Sequence, residues 1–122
     1  MRREGQVLIV TARPEVAARL QGALDGHESR VVQAPEADTI LVTAVLGGMV
    51  VDVASDPPAS RRLVRAYLKH QPLGRVAVLS HLEDITTLTA FAYADGRMDL
   101  FFEPWDVPLM LSFLGLRTLA RL

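Results

Sequence analysis

Cysteine is absent from this sequence of 122 residues, and histidine occurs only three times. Without cysteine, the chain has no disulfide framework, no thiol nucleophile and no thiolate metal ligand. The three histidines, His27, His70 and His81, lie far apart in the sequence. The sequence therefore predicts neither a zinc site nor cysteine-based chemistry.

Long apolar runs and a secretion signal are also lacking. The segment from Met1 to Gly5 leads into an apolar run too short for a signal peptide, and no small-residue cleavage site follows it. No apolar run approaches the roughly 20 residues that cross a bilayer. We therefore expect no membrane partner and a cytoplasmic location.

An excess of charge of one sign is missing as well. Thirteen Lys and Arg residues stand against fourteen Asp and Glu residues, which gives a formal net charge of -1. Such a balance provides no overall attraction to nucleic acid. We expect protein partners that recognise a local surface, and no nucleic-acid partner.

What the sequence does contain is typical of one globular domain. Half of its residues are hydrophobic, and a chain of this length can bury a sizeable core without disulfides or metals. We therefore interpret residues 1–122 as a single domain.

Four short apolar runs without polar alternation predict strands that are buried on both faces, at 7–10, 49–51, 76–79 and 100–102. A fifth strand is predicted at 30–33, where two valines stand between polar residues. Helix-start signals follow every strand. They are Pro14, Pro35, Asp56 with Pro57, Ser80 with Glu83, and Asp106 with Pro108. We expect the second helix to end at Gly47-Gly48 and the fifth to run to the end of the chain.

Regular alternation of strand and helix with short connections predicts parallel pairing. The expected fold class is α/β, a doubly wound five-stranded parallel sheet with helices on both faces. The loop after the first strand reads Thr11-Ala12-Arg13-Pro14. It contains neither of the glycine-rich motifs that bind dinucleotides or nucleoside triphosphates, so neither ligand is predicted.

In such sheets the functional site lies at the carboxyl ends of the strands. The residues there are Thr11-Ala12, Asp52, Ser80 and Glu103-Pro104. Their order and spacing over the whole chain resemble the receiver domains of two-component response regulators. Receivers have the same flavodoxin-like fold, with an acidic pair, a phospho-accepting Asp, a Thr or Ser, and a Lys-Pro at these four places. The resemblance makes Asp52 the candidate phospho-acceptor and predicts a cis bond between Glu103 and Pro104.

Two departures from the receiver pattern affect its chemistry. Thr11 and Ala12 replace the acidic pair, and Glu103 replaces the lysine. Mg²⁺ usually needs more than one fixed carboxylate or a phosphate beside its waters, so we expect Mg²⁺ binding to be weak or absent and no other cofactor to bind. A glutamate in place of the lysine would repel a phosphoryl group. We therefore predict an atypical receiver, a pseudo-receiver, with little or no aspartyl phosphorylation.

Structural roles compete with functional ones for several of these residues. Ser80 followed by Glu83 fits a capping box, Asp56 fits a helix cap, and Glu103 fits a solvated carboxylate. Arg13 has two interpretations. It could pair with Asp52 in place of a metal ion, or it could be an exposed arginine at a helix start.

The last predicted helix suggests a protein contact. We expect Leu109, Phe113 and Leu116 to face the core. Met110, Leu111 and Leu114 lie off that stripe and are predicted to stay partly exposed as interface residues. In receivers the face formed by helix 4, strand 5 and helix 5 is the usual dimer surface, so we expect a homodimer, unless another element of the chain covers these residues. The arginines and the lysine on the third helix are interpreted as a solvated face.

Three functions remain open from the sequence. The first is a receiver-like signalling domain that acts by protein-protein contact in a phosphorelay, without enzymatic activity. The second is a working phospho-acceptor receiver that uses Asp52. The third is a small-ligand-binding or enzymatic flavodoxin-like domain.

Overall fold

The structure is a computed structural model that describes residues 6–71, 74–80, 96–102 and 105–116. Five strands form one sheet. Their bounds are Gln6–Val10 (β1), Ser29–Val32 (β2), Leu46–Asp52 (β3), Val76–Ser80 (β4) and Met98–Phe102 (β5). The strand order is β2-β1-β3-β4-β5, and every pair is parallel. The predicted parallel sheet is confirmed.

Every described helix has a proline at one of its first two positions, and side-chain caps at two of the helices satisfy free backbone N–H groups. The bounds of the helices are Pro14–Ala23 (α1), Ala34–Thr43 (α2), Pro57–His70 (α3) and Val107–Leu114 (α4). A carboxylate caps α3, because Asp56 accepts a hydrogen bond from the Ala59 N–H. Asp106 does the same for α4 through the Leu109 N–H. The predicted starts of these two helices are therefore confirmed.

Helices cover both faces of the sheet. On one face α2 and α3 pack against Leu8, Met49 and Val78. On the other face α1 and α4 pack against Ile9, Val50 and Leu79. Each fully buried aliphatic side chain of this size contributes roughly 1.5–3 kcal/mol to folding. Because helices cover both faces of one parallel sheet, the predicted doubly wound architecture is confirmed. None of the described helices is long and apolar enough to cross a membrane.

Two predictions about helix ends were wrong. Helix α2 ends at Thr43, and Gly47-Gly48 lies inside β3. A Cβ atom on Gly48 would lie 3.4 Å from a Leu114 methyl carbon, so glycine allows close approach of the helix to the strand. Helix α4 ends at Leu114, where Gly115 adopts a left-handed conformation with φ of 80°.

The predicted orientation of the last helix was also wrong. Met110, Leu111 and Leu114 are buried in the core between α4 and the sheet, whereas Leu109 is 58% exposed. This helix has apolar residues on every side, so its sequence pattern shows no polar side. Without a polar side, periodicity does not indicate which side of the helix is buried. The predicted interface residues Met110, Leu111 and Leu114 are therefore core residues.

A buried amide joins three elements at the amino end of the sheet. Gln71, directly after α3, accepts a hydrogen bond from the Leu46 N–H and donates to the carbonyls of Leu41 and Ala44, at 2.7–3.0 Å. The Arg97 guanidinium donates to the carbonyl of Gln71 at 2.7 Å and to a carbonyl of the last turn of α3 at 2.8 Å. These contacts join the end of α2, the start of β3 and the end of α3.

Candidate functional site

The candidate site lies at the carboxyl ends of β1 and β3, which are adjacent in the sheet. Thr11 follows β1, and Asp52 is the last residue of β3. Arg13 precedes the first residue of α1, and Ser55 ends a short 3₁₀ turn after β3. Because the two strands are parallel, their ends bring these four side chains together at one rim.

Asp52 is buried and its carboxylate accepts four hydrogen bonds. The Arg13 guanidinium donates two of them, from Nε to Oδ2 and from Nη2 to Oδ1, both at 2.8 Å. The Thr11 hydroxyl donates to Oδ2 at 2.7 Å, and the Ser55 hydroxyl donates to Oδ2 at 3.0 Å. The guanidinium contact is bidentate, the arrangement in which arginine binds carboxylates most strongly.

The same hydroxyls also hold the two loops together. Thr11 Oγ1 accepts a hydrogen bond from the Arg13 backbone N–H at 3.0 Å. Ser55 Oγ accepts one from the Ala12 backbone N–H at 2.8 Å. The loop that carries Arg13 is therefore fixed by hydrogen bonds of its own backbone as well as by the ion pair. These bonds help to hold the guanidinium next to Asp52.

Electrostatics favour the ionised form of Asp52. Burial by itself raises the pKa of this carboxyl, because a charge is less stable away from water. The hydrogen bonds from Arg13, Thr11 and Ser55, together with the positive charge of Arg13, outweigh burial and lower the pKa below its ordinary value. The Asp52 side chain is 1% exposed and that of Arg13 is 29% exposed, so solvent reaches the pair from the arginine side.

The arrangement is poorly suited to hold a metal ion. Within the described ranges, no three His, Asp or Glu side chains come together as a possible metal site. Asp52 is the carboxylate at the centre of this site, and a cationic guanidinium already lies against both of its oxygens. A divalent cation at the same carboxylate would have to displace Arg13.

Other predicted site residues lie beside or outside this cluster. Ala12 is exposed, and Ser80 is buried at the end of β4. Glu103 and Pro104, the predicted cis bond between them, and Glu83 of the predicted capping box are outside the described residues. The structure brings together Thr11, Arg13 and Asp52 from the sequence-based set.

Ser55 is the site residue that the sequence analysis missed. It lies three residues after Asp52 and contacts both Asp52 and the loop after β1. A serine shortly after an aspartate at a strand end is a signal for such local hydrogen bonding, but the signal is common. Only the neighbouring strand shows that Ser55 also binds the backbone of Ala12.

A small cleft of about 90 Å³ opens beside the cluster. Its walls come from the ends of β1 and β2, the start of α2 and the turn after β3. The lining residues are Val10, Thr11, Ala12, Gln33, Ala34, Pro35, Ser55 and Asp56. Sites for drug-sized ligands typically enclose about 300–1,000 Å³, so this cleft is too small for such a ligand.

No protein-family model matches the sequence, and no curated protein matches it. Solved structures do match. A response regulator receiver protein from Pseudomonas putida is 20% identical over 94% of this chain and 98% of that chain, with a TM-score of 0.74. The N-terminal signal receiver domain of a two-component response regulator from Bacteroides fragilis is 17% identical, over 93% of this chain and 95% of that chain, with a TM-score of 0.73.

A third similar structure has magnesium coordinated in its active site cleft. It is the receiver domain of a sensor histidine kinase from Pseudomonas aeruginosa, 13% identical over 93% of this chain and 96% of that chain, with a TM-score of 0.73. At these identities the similarity concerns the backbone and not the site chemistry. The chain has the fold of the receiver domains of response regulators.

Proposed function

We propose that this chain is a receiver-like signalling domain in a two-component phosphorelay, and that it acts by protein-protein contact without phosphorylation of Asp52. The proposal includes one domain over residues 1–122, no enzymatic activity and a cytoplasmic location, as the resemblance to receivers implies. The observation that carries it is the Asp52 carboxylate, whose oxygens accept four hydrogen bonds, two of them from Arg13.

The arginine contact opposes phosphoryl transfer for two reasons. An attacking carboxylate oxygen needs a lone pair directed at phosphorus, and here Oδ2 accepts three hydrogen bonds while Oδ1 lies against the Arg13 guanidinium. A divalent cation normally neutralises the oxygens of both the carboxylate and the phosphoryl group. Arg13 provides a positive charge but, unlike a metal ion, has no open coordination position for phosphoryl oxygens.

Treatment with a small phosphodonor and Mg²⁺ tests the proposal. We expect intact-protein mass spectrometry to show no added phosphoryl group on the native chain. A receiver with an intact acidic pair and lysine, treated in the same way, serves as the positive control. A phosphoryl group that appears on the native chain and is lost in Asp52→Asn would contradict the proposal and favour the working phospho-acceptor.

Arg13→Ala separates the two ways in which phosphorylation could be lost. If the guanidinium alone blocks Asp52, this variant gains a phosphoryl group. If the absence of the acidic pair also prevents phosphorylation, Arg13→Ala stays unmodified. In that case only Arg13→Ala combined with Ala12→Asp gains a phosphoryl group. We expect the second result, because a single carboxylate holds Mg²⁺ poorly.

A homodimer is a further part of the proposal. Its interface would be the face that includes β5 and α4, the last of the described helices. Met110, Leu111 and Leu114 are buried and therefore do not form this interface, whereas Leu109 of α4 is 58% exposed. Phe113 of the same helix and Leu116, two residues after its end, are partly buried and pack against the core. A single exposed apolar residue is common on monomeric proteins, so the dimer rests on the resemblance to receivers, in which this face is the usual dimer surface.

Sedimentation analysis tests the dimer with a matched pair of variants. Leu109→Asp is expected to shift the protein to a monomer. Val42→Asp, at a residue of α2 that is 60% exposed, introduces the same charge elsewhere and is expected to leave the dimer intact. A native chain that is monomeric at high concentration would refute the dimer.

The third function, a ligand-binding or enzymatic domain, receives little support from the site. The adjoining cleft is small, and two of its polar side chains, Thr11 and Ser55, are already bonded to Asp52.

A further inference from the structure

Positive charge is concentrated in one part of the chain. Residues 57–80 contain five Arg and Lys residues and no Asp or Glu, whereas the rest of the chain has eight basic residues against fourteen acidic ones. Four of the five basic residues belong to α3. The near-zero net charge of the whole chain therefore conceals a separation of charge.

The helical period places these four residues on one side of α3. At 100° per residue, Arg61, Arg62, Arg65 and Lys69 lie within about 100° of arc and extend over about 12 Å along the axis. The buried residues Leu63, Val64 and Tyr67 belong to the opposite side. We call the four basic residues the α3 basic face.

Most of the α3 basic face lacks an ionic partner among the residues that the structure describes. Arg62 forms an ion pair with Asp38 of α2 at 3.5 Å. Among the described residues, Arg61, Arg65 and Lys69 form no ion pair, and Arg65 and Lys69 are exposed. Unpaired cations in a row repel one another and favour binding of a negatively charged partner.

We infer that the α3 basic face binds a short acidic segment of a partner protein. Carboxylates match the bidentate geometry of the arginines. A nucleic acid fits less well, because Tyr67, the aromatic residue of α3, is buried and cannot stack on bases. A long polyanion would also extend past the 12 Å row and meet a chain whose remainder is acidic. This surface is separate from the Asp52 cluster, so the inference does not depend on the proposed function.

Fluorescence anisotropy with a labelled peptide of about four glutamates, which spans about 13 Å when extended, tests the inference. The double reversal R65E/K69E should weaken binding at least tenfold, and added salt should weaken binding to the native chain because surface charges are screened. The matched control is R19E/R30E, two exposed arginines on α1 and β2, which changes the net charge equally. We expect the affinity of this control variant for the peptide to fall less than threefold. Thermal unfolding checks that each variant is folded.

Three outcomes would overturn the inference. Equal weakening in R65E/K69E and R19E/R30E would show attraction to net charge rather than to this face. Tighter binding of an oligonucleotide with the same number of charges would assign the face to nucleic acid. Self-association of the native chain that is lost in R65E/K69E would make a second copy the acidic partner.

Discussion

The two ends of the sheet each contain a buried polar side chain that joins separate elements, but the chemistry differs. At the carboxyl end, the Asp52 carboxylate is held by a guanidinium and two hydroxyls. At the amino end, the Gln71 amide is held by backbone groups alone. Both residues are almost fully buried, with exposures of 2% and 4%.

The difference shows which end of the sheet a change in charge would destabilise. A neutral amide needs only matching donors and acceptors, which the backbone provides at any pH. A buried carboxylate needs a cation, and here the cation is one side chain that is partly open to solvent. The carboxyl end therefore depends on an ion pair with two supporting hydroxyls, whereas the amino end depends on backbone groups.

The largest expected effect is that of Arg13→Ala. It leaves Asp52 buried without its cation, and we expect a loss of about 3 kcal/mol in the free energy of unfolding, near the lower limit for a broken buried pair because Arg13 is partly exposed. Urea denaturation measures it. In the double variant Arg13→Ala/Asp52→Asn, part of the loss should be recovered, since no unpaired charge remains. A loss below about 0.5 kcal/mol would show that the pair behaves like a surface ion pair.

Gln71→Ala should have the next largest effect. It leaves the Leu46 N–H and the carbonyls of Leu41 and Ala44 without their side-chain partner, and we expect a loss of about 2–3 kcal/mol. Gln21→Ala, at an exposed glutamine of α1, is the control and should change stability by less than about 0.5 kcal/mol. If both variants unfold at the same urea concentration, the amide is not a structural link.

Acid should distinguish the two ends. The pKa of Asp52 is lowered in the folded protein, so below the pKa of an unfolded aspartate, about 4, the unfolded chain binds a proton more readily than the folded one. The stability contributed by Asp52 is complete above that pH and is lost as the pH falls through the folded pKa. This effect is smaller than that of Arg13→Ala, because protonation leaves hydrogen-bonding partners around the carboxyl.

Urea denaturation of three proteins over a range of acidic pH values measures this difference. The stability gap between the native chain and Asp52→Asn should narrow as the pH falls below about 4. The gap between the native chain and Gln71→Ala should remain constant, since an amide does not titrate. A constant gap for Asp52→Asn would mean that the pKa of Asp52 is not lowered.

Ser55→Ala should have the smallest effect. It removes one of the four hydrogen bonds to Asp52 and the acceptor of the exposed Ala12 N–H, and it leaves the ion pair intact, so we expect a loss of about 1 kcal/mol. Ser112→Ala, at an exposed serine of α4, serves as the control and should be nearly neutral. A loss as large as that of Arg13→Ala would show that Ser55, and not the guanidinium, holds the loops together.

Apolar runs and helix caps were reliable signals for the fold because they act locally. The five strands lie within three residues of their predicted positions, and Asp56 and Asp106 cap the helices that they were expected to cap. The prediction was wrong where distant residues decide the outcome. Gly47-Gly48 resembled a helix stop, but Gly48 lies in β3 where Leu114 approaches.

The site was predicted in part for the same reason. Parallel strands with short loops place their carboxyl ends at one rim, so Thr11 and Asp52 were expected to be neighbours. The sequence left two interpretations of Arg13 open. The bidentate contact depends on how the loop after β1 lies over the end of β3, which the hydrogen bond from the Ala12 N–H to Ser55 helps to fix.

By itself, the sequence of this protein determined the parallel α/β architecture and the rim at which its polar residues meet. Both follow from the order of buried strands and capped helices along the chain. Only the tertiary structure decided that a guanidinium occupies the carboxylate of Asp52, and that α4 buries Met110, Leu111 and Leu114 while it exposes Leu109. The physical reason is that a side-chain pairing and the rotation of an apolar helix are set by contacts between residues far apart in sequence, which local patterns do not encode.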